Sequence, residues 1–213
     1  MRKYKKSNDD IDIQFEDVGY LIDDPLPNPD LLEFYRRIAK REMFLNGIID
    51  DTAFDVSMYV KKWNAEDKGK PIEERTSIKL FINSDGGDAN AVMNVIDTIL
   101  LSKTPVITIG MGRVYSSGGL LLMAGHKRYV FPHTSCLIHD GYSGVIGSMG
   151  KVLDTAEFNK AFEEQIKGYI LSRTKITSEM YDKNYRRDWF IFADDMIKYG
   201  IADDIITDID IIS

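Results

Sequence analysis

Two apolar, β-branched runs that end in glycine-rich turns constrain the fold of this chain most strongly. SIKLFINS (77–84) stops at the turn DGGD (85–88), and VITIGMG (106–112) leads into the turn YSSGG (115–119). A helical pattern of apolar residues follows each turn. Because strands that alternate with helices need crossover connections, the sequence predicts an α/β fold with a largely parallel sheet.

The rest of the chain repeats this alternation of elements. We expect helices over ANAVMNVIDTILLS and SGGLLLMAG after the two turns, and a strand at MFLNGII followed by the helix TAFDVSMYVKKWNAE before them. After them we expect, in order, the strand SCLIHDG, a long helix over 148–173, the helices SEMYDKNY and DDMIKYG, and a final strand ADDIITDI. Ligands of such sheets gather at the carboxyl ends of the strands, where both glycine-rich turns and His139 are predicted to lie.

The predicted helix over 148–173 is unusually long. At 1.5 Å per residue it would extend roughly 39 Å, which is too long to lie only against a small sheet. We therefore expect it to project from the domain and to pack on another subunit.

The N-terminal residues 1–30 differ from the rest of the chain. They are charged, weakly periodic, and end in PLPNPD, so we expect an arm that is mobile or depends on a partner for its structure. Residues 31–213 are expected to form one domain, whose first helix, LLEFYRRIAKR, would be capped by Asp30. The initial positive charges have no apolar stretch behind them, and no run reaches the ~20 apolar residues of a membrane span. We expect a cytoplasmic protein.

Composition limits the classes of partner and cofactor. The net charge of −7 argues against a nucleic-acid partner and against an anionic membrane surface. The single cysteine, Cys136, lies in an apolar run and is expected to be a buried thiol. Three scattered histidines without clustered carboxylates predict no metal site, and the glycine turns lack the Gly-Lys-Ser/Thr of a nucleotide-binding loop. We expect no cofactor.

The paired serines at the second turn suggest a nucleophile. A serine hydroxyl needs a base, a group that orients the base, and N–H donors for the developing oxyanion. His139 is the best-placed candidate base, because it ends an apolar strand whereas the other two histidines lie in turns. The residues alone do not choose between Ser116 and Ser117. The candidate acids also remain open: Asp140, Asp154, Asp182, Asp188, Asp194 and Asp195.

Taken together, these motifs resemble the proteolytic subunit of the Clp protease family, over roughly residues 33–208. The segments that carry the resemblance are FYRRIAKREMFLNGIIDD, FINSDGGDANAVMNVIDTI, IGMGRVYSSGGLLLMAG, CLIH and RRDWFIFADDMIKYGIADDI. The resemblance implies a spiral of repeated β-β-α units, as in the Clp protease and crotonase superfamily. It also implies that residues 141–173 form the projecting "handle".

The resemblance also implies roles for five residues. Ser116 corresponds to the nucleophile, His139 to the base and Asp188 to the acid. The backbone N–H groups of Gly87 and Ser117 correspond to the oxyanion hole. An alternative register would pair Ser117-Gly118-Gly119 with the Ser-Gly-Gly of signal-peptide peptidases, but these use a lysine base that has no convincing counterpart here.

Activity and partners follow from the same resemblance. It implies a serine endopeptidase that cleaves unfolded polypeptides inside a chamber of heptameric rings, which could stack as a tetradecamer, with an AAA+ unfoldase such as ClpX or ClpA as a further expected partner. Some residues depart from the family pattern. Asp85 replaces the family's proline, which we expect to lower the rigidity of the turn or to alter substrate preference. Lys79 replaces an aromatic residue in the strand that helps form the ATPase-docking pocket, and Arg186 stands where the family often has an acid at the contact between rings. The N-terminal arm does not match the family's pore-lining segment either. The departures at Lys79 and in the arm favour, as an alternative, a phage-type protease that matures capsid or scaffold proteins without an ATPase. Alternatives of other classes are an acyl-CoA enzyme of the crotonase type and an inert ring subunit.

Overall fold

A computed structural model describes residues 28–212, and the chain divides into two units after Lys40. The predicted N-terminal arm therefore falls almost entirely outside the described residues, and its boundary at residue 30 stays a prediction.

In the first unit, helix α1 (Pro29–Ala39) begins two residues before the predicted start at Leu31. Its N-cap is Asn28, whose side-chain oxygen accepts a hydrogen bond from the Asp30 backbone N–H at 2.9 Å. The prediction that Asp30 caps this helix was wrong. Proline suits the first helical position because its φ is already helical and it has no N–H to satisfy, so the cap is the residue before Pro29.

The second unit contains seven strands and six helices in the described part of the chain. In chain order they are β1 (Glu42–Ile49), α2 (Phe54–Glu66), β2 (Ile78–Gly87), α3 (Ala89–Leu100), β3 (Val106–Tyr115), α4 (Ser117–Ala124), β4 (Lys127–Val130), β5 (Ser135–Ile138), α5 (Met149–Arg173), α6 (Ser178–Asn184), β6 (Trp189–Phe192), α7 (Ala193–Lys198) and β7 (Asp204–Ile205). Short 3₁₀ turns lie at Asp51–Ala53, Ile72–Glu74 and Ile209–Ile212.

The sheet is parallel over most of its width, which confirms the predicted α/β class. The strands lie in the order β1-β2-β3-β4-β7, with every neighbouring pair parallel. β5 pairs in parallel with β3, and β6 pairs antiparallel with β5. This mixed α/β arrangement is consistent with the fold that the family resemblance implied.

Strand β3 changes partner along its length. Its first half, from Ile107 to Gly110, pairs with β4, whereas Arg113–Tyr115 pair with β5. The change occurs around Gly112, whose φ of +69° a residue with a side chain rarely adopts. The bend brings the carboxyl ends of β3 and β5 together and ends β3 directly at Ser116.

Several elements differ from the sequence expectations. β2 continues to Gly87 and β3 to Tyr115, beyond the points where the apolar runs stop. β4 was not predicted, because it is short and begins with charged residues that are typical of a turn. The predicted final strand shrinks to Asp204–Ile205, and β1 is partly exposed because β2 is its one partner among the described strands.

Helix α4 is the centre of the core. All eight of its residues are buried, and it lies against β2, β3 and α3. A helix this apolar on every side is stable only when it is enclosed. Cys136 of β5 is also fully buried, and burial raises the pKa of its thiol to about 12. The expectation of a buried cysteine is confirmed.

Helix α5 matches the predicted long helix to within one residue. Of its 25 residues only Ile170 is buried. Large apolar side chains near its start are exposed, among them Met149, Leu153 and Phe158. Residues 141–148, the first part of the predicted handle, form neither helix nor strand.

A buried ion pair holds α2 to the start of β1. The Arg41 guanidinium donates to both carboxylate oxygens of Asp67 at 2.5 and 3.1 Å, and Lys70 and Thr104 donate to the same carboxylate. The hydrogen bond from Arg41 is the main reason that the pKa of Asp67 lies well below its usual range, and the bonds from Lys70 and Thr104 lower this pKa further. Because the folded-state pKa is depressed, the carboxylate stabilises the fold above its unfolded pKa of about 4 and loses this effect as the pH falls.

We expect Asp67→Asn to lower the free energy of unfolding by about 3 kcal/mol at pH 7, because it leaves Arg41 buried without its counter-charge. Urea denaturation measures the change. The control, Asp195→Asn, removes an exposed ion pair with Lys198 and should cost less than about 1 kcal/mol. Equal losses in the two variants would contradict a special role for the buried pair.

Candidate active site

Ser116 occupies a strained position between β3 and α4. Its φ is +51° and its ψ is −123°, a region that residues other than glycine seldom adopt. The backbone is held there because the Ser116 N–H donates to the Leu137 carbonyl of β5 at 2.9 Å. Strain of this kind persists only where the surrounding structure imposes it, and it clusters at functional sites.

The neighbouring serine has a different environment. Ser117 is buried, and its hydroxyl donates to the Gly87 carbonyl at 3.0 Å. Ser116 lines a cavity that Ser117 does not reach. The two serines that the sequence left open are therefore not equivalent, and the geometry favours Ser116 as the accessible hydroxyl.

The glycine turn at the end of β2 lies directly against Ser116. A Cβ added at Gly86 would come within 2.7 Å of the Ser116 Cβ and 2.8 Å of the Tyr115 carbonyl oxygen. A Cβ at Gly87, whose φ is +148°, would overlap the backbone carbonyl of Ile49. Both positions accept only glycine. Because glycine has no side chain, the backbone of the turn can lie close to the serine.

His139 is the one histidine of the described residues that lines this cavity. It follows the end of β5, its side chain is 13% exposed, and its ring contacts that of Tyr142 edge-on, with 5.8 Å between the centroids. His126 lies elsewhere: its Nδ1 accepts the Val106 N–H, and burial lowers its pKa. His133 is exposed and lies outside the cavity lining.

Among the candidate acids, Asp188 lies next to His139. Its Oδ1 is 3.8 Å from the His139 Nδ1, and its side chain is 64% exposed. Asp182 instead pairs with Lys167, while Asp194 and Asp195 occupy the first turn of α7, as expected. Of the candidate acids, Asp188 alone has an ion-pair contact with the histidine.

Ser116 and His139 line one cavity and Asp188 lies beside His139, but the three side chains do not form a closed hydrogen-bond chain. Within residues 28–212 no hydrogen bond joins the Ser116 hydroxyl to the His139 ring, and 3.8 Å is too long for one between His139 and Asp188. Catalytic hydrogen bonds are often long in unliganded proteins and shorten when substrate binds. Serine, histidine and carboxylate side chains are the kinds of group that acyl transfer uses.

The cavity has a volume of about 570 Å³ and an apolar floor. The floor and walls come from α4 and α5, with Leu120, Met123, Phe162, Ile166 and Ile170 among the apolar side chains. Three acidic residues also line the cavity: Asp85 of β2, Asp88 at the N-cap of α3, and Glu163 of α5. A concave, mostly apolar cavity with a few polar groups is typical of a ligand-binding site.

A family model for the Clp protease matches residues 31–208. The chain belongs to the Clp protease family. Membership supports a peptidase, which is a hydrolase, and it agrees with the parallel α/β fold described above.

The structure shows the contacts of the three residues that the sequence analysis named as departures from the family pattern, Arg186, Lys79 and Asp85. Arg186 is exposed, and its Nε donates to the hydroxyl of the adjacent Tyr185 at 2.8 Å. Lys79 donates to the Ile212 carbonyl at 2.9 Å and lies 3.5 Å from Glu42. Asp85 forms an ion pair with Arg113 at 2.7 Å, which sequence reasoning missed because nothing in the sequence relates these two positions.

The described residues contain neither a candidate metal site nor a membrane-spanning helix. No group of three or more histidine, cysteine or acidic residues there could hold a metal ion. Among those same residues, every helix is too short or too polar to cross a membrane.

Proposed function

We propose that this chain is a serine endopeptidase of the Clp type, with Ser116 as nucleophile, His139 as base and Asp188 as acid. The observation that supports this most strongly is the strained Ser116. It lines the same cavity as His139, and it lies against the Gly86-Gly87 turn and the first turn of α4.

In the proposed reaction the Ser116 hydroxyl attacks the carbonyl carbon of the peptide bond. His139 accepts the hydroxyl proton and passes it to the leaving amine, and Asp188 stabilises the imidazolium that forms between these steps. The N–H groups of Gly87 and Ser117 donate to the oxyanion; that of Ser117 is available because the first N–H groups of a helix lack partners within it. Water then hydrolyses the acyl-enzyme, with His139 again acting as base.

We further propose that the substrate is unfolded polypeptide and that the protein acts as a homo-oligomer of heptameric rings, single or paired. The exposed apolar side chains at the start of α5 and just before it support a subunit contact there. They are Tyr142, Ile146, Met149, Leu153 and Phe158. Native mass spectrometry tests the assembly, which should appear as multiples of seven chains.

One observation favours a second candidate, a phage-type capsid or scaffold maturation protease that acts without an unfoldase. Lys79 stands where the resemblance places part of the docking pocket for ClpX or ClpA. Its ammonium group forms an ion pair with Glu42 and donates to the Ile212 carbonyl. A maturation protease should cleave a folded scaffold protein without nucleotide. A degradative enzyme should cleave only short peptides until an unfoldase is added.

Reaction with a serine-directed fluorophosphonate, followed by intact mass and peptide mapping, tests the proposed chemistry. We expect one adduct per chain on Ser116, present in Ser117→Ala and absent from His139→Ala. An adduct on Ser117 would contradict the assignment. Failure of the wild-type assembly to react would contradict a serine peptidase and favour an inert subunit, while bound coenzyme A would favour the acyl-CoA alternative.

A further inference from the structure

The ion pair between Asp85 and Arg113 joins the two segments that carry the proposed catalytic groups. Asp85 directly precedes the Gly86-Gly87 turn, and Arg113 lies in the last part of β3, shortly before Ser116. The Arg113 Nε and the Asp85 Oδ1 are 2.7 Å apart, and each side chain is 46% exposed. The pair therefore links the oxyanion turn to the strand that presents the nucleophile.

The backbone ladder between β2 and β3 is interrupted at this point. Ile82 pairs with Gly110, but the next paired residue, Ser84, lies opposite Val114. At this gap Asn83 Oδ1 accepts the Arg113 N–H at 3.4 Å, and the Arg113 side chain pairs with Asp85, one residue beyond Ser84. The ion pair supplies a connection where regular hydrogen bonding between the strands is broken.

The backbone of the turn lies very close to Ser116. The hypothetical Cβ contacts of Gly86, at 2.7 Å from the Ser116 Cβ and 3.1 Å from the Ser117 nitrogen, show how closely the two backbones approach. Oxyanion stabilisation depends on donors fixed within a few tenths of an ångström of the developing charge. A small shift of the turn therefore affects the rate far more than it affects the stability of the fold.

We propose that the Asp85–Arg113 ion pair is a positioning device that holds the oxyanion turn against Ser116. This inference rests on the proposed function. Asp85 stands where the resembling family has proline, whose ring fixes φ and stiffens a turn. In this chain an ion pair between two strands takes the place of the rigid proline ring. The position of the turn, and with it kcat, should therefore change at high salt and on loss of either charge.

Steady-state cleavage of a fluorogenic peptide by the assembled protein tests the proposal. We expect Asp85→Asn and Arg113→Gln each to lower kcat about tenfold with KM changed less than twofold. The double variant should lose no more than either single variant, because both remove one interaction. The charge-exchanged variant, Asp85→Arg with Arg113→Asp, should recover most of the lost kcat. In 1 M NaCl the wild type should approach the single variants, because an exposed ion pair is screened.

The controls separate a positioning role from a structural one. Lys198→Gln removes a different exposed ion pair, with Asp195, and should retain the full kcat of the wild type. Because its Asp85–Arg113 pair is intact, its kcat should fall in 1 M NaCl as that of the wild type does. Asp85→Glu keeps the charge and should stay within about threefold of wild type. Unfolding midpoints of all these variants should agree, since exposed pairs contribute little to stability.

Three outcomes would overturn the inference. They are an unchanged kcat in both single variants, additive losses in the double variant, or a change confined to KM, which would mean that Asp85 contacts the substrate instead. If the wild-type assembly neither cleaves peptides nor labels on Ser116, the proposed function fails and the inference fails with it. Wild-type activity with an unaffected Asp85→Asn would contradict the inference alone.

Discussion

Ser116→Ala is expected to lower kcat for peptide cleavage by about 10⁶-fold. The hydroxyl is the proposed nucleophile, so its removal leaves no atom to form the acyl-enzyme at that position. His139→Ala should cost about as much, and the double variant should be no slower, because the serine and its base act as one unit. The oxyanion donors and substrate binding would still accelerate the reaction about 10³-fold over the uncatalysed reaction in water.

Fluorogenic peptide hydrolysis measures these losses, with circular dichroism to check that each variant is folded. Ser117→Ala is the matched control, because it removes an adjacent hydroxyl that is buried against Gly87. It should cost about tenfold or less. A loss in Ser117→Ala as large as that in Ser116→Ala would assign the nucleophile to the other serine.

Asp188 should be less critical than either partner. Its carboxylate is 3.8 Å from the histidine and mostly exposed, so water screens part of its effect on the imidazolium. We expect Asp188→Ala to lower kcat by about 10⁴-fold or less.

The strands and helices that bury apolar residues could be predicted from the sequence, because their periodicity is what burial requires. β2, β3 and α4 are examples, and their order predicted the parallel sheet. β4 escaped prediction since it is short and starts with Lys127 and Arg128, and β7 contains only two residues. Such strands are defined by their neighbours in the sheet rather than by a pattern of their own.

Some residues of the candidate site could likewise be predicted from the sequence, and others could not. Glycine turns, paired serines and a histidine at a strand end are local signals, so Ser116 and His139 could be proposed from the residues, although the choice between the two serines could not. Asp188 came only from the family resemblance, since nothing local distinguishes it from five other aspartates. The ion pairs Asp85–Arg113 and Arg41–Asp67 join residues far apart along the chain, and only the folded structure brings them together.

Gly87→Ala is expected to lower kcat by 10²–10³-fold or more, the loss typical of one oxyanion donor. The φ of Gly87 is +148°, and an added Cβ would overlap the backbone carbonyl of Ile49 in β1. That carbonyl cannot rotate away, because it also accepts the Asp88 N–H at 2.8 Å. The turn must therefore move, and its N–H groups move with it away from the oxyanion position.

Gly141→Ala is the matched control for this substitution. Gly141 lines the same cavity, but a Cβ there would meet no atom within 4 Å, and its φ is not in the left-handed region. Peptide cleavage by Gly141→Ala should stay within threefold of wild type. The rate of fluorophosphonate labelling separates the effects further: Gly87→Ala should label slowly on Ser116 even where thermal unfolding shows a folded protein. Normal labelling and normal kcat in Gly87→Ala would mean that the oxyanion is stabilised by groups other than this turn.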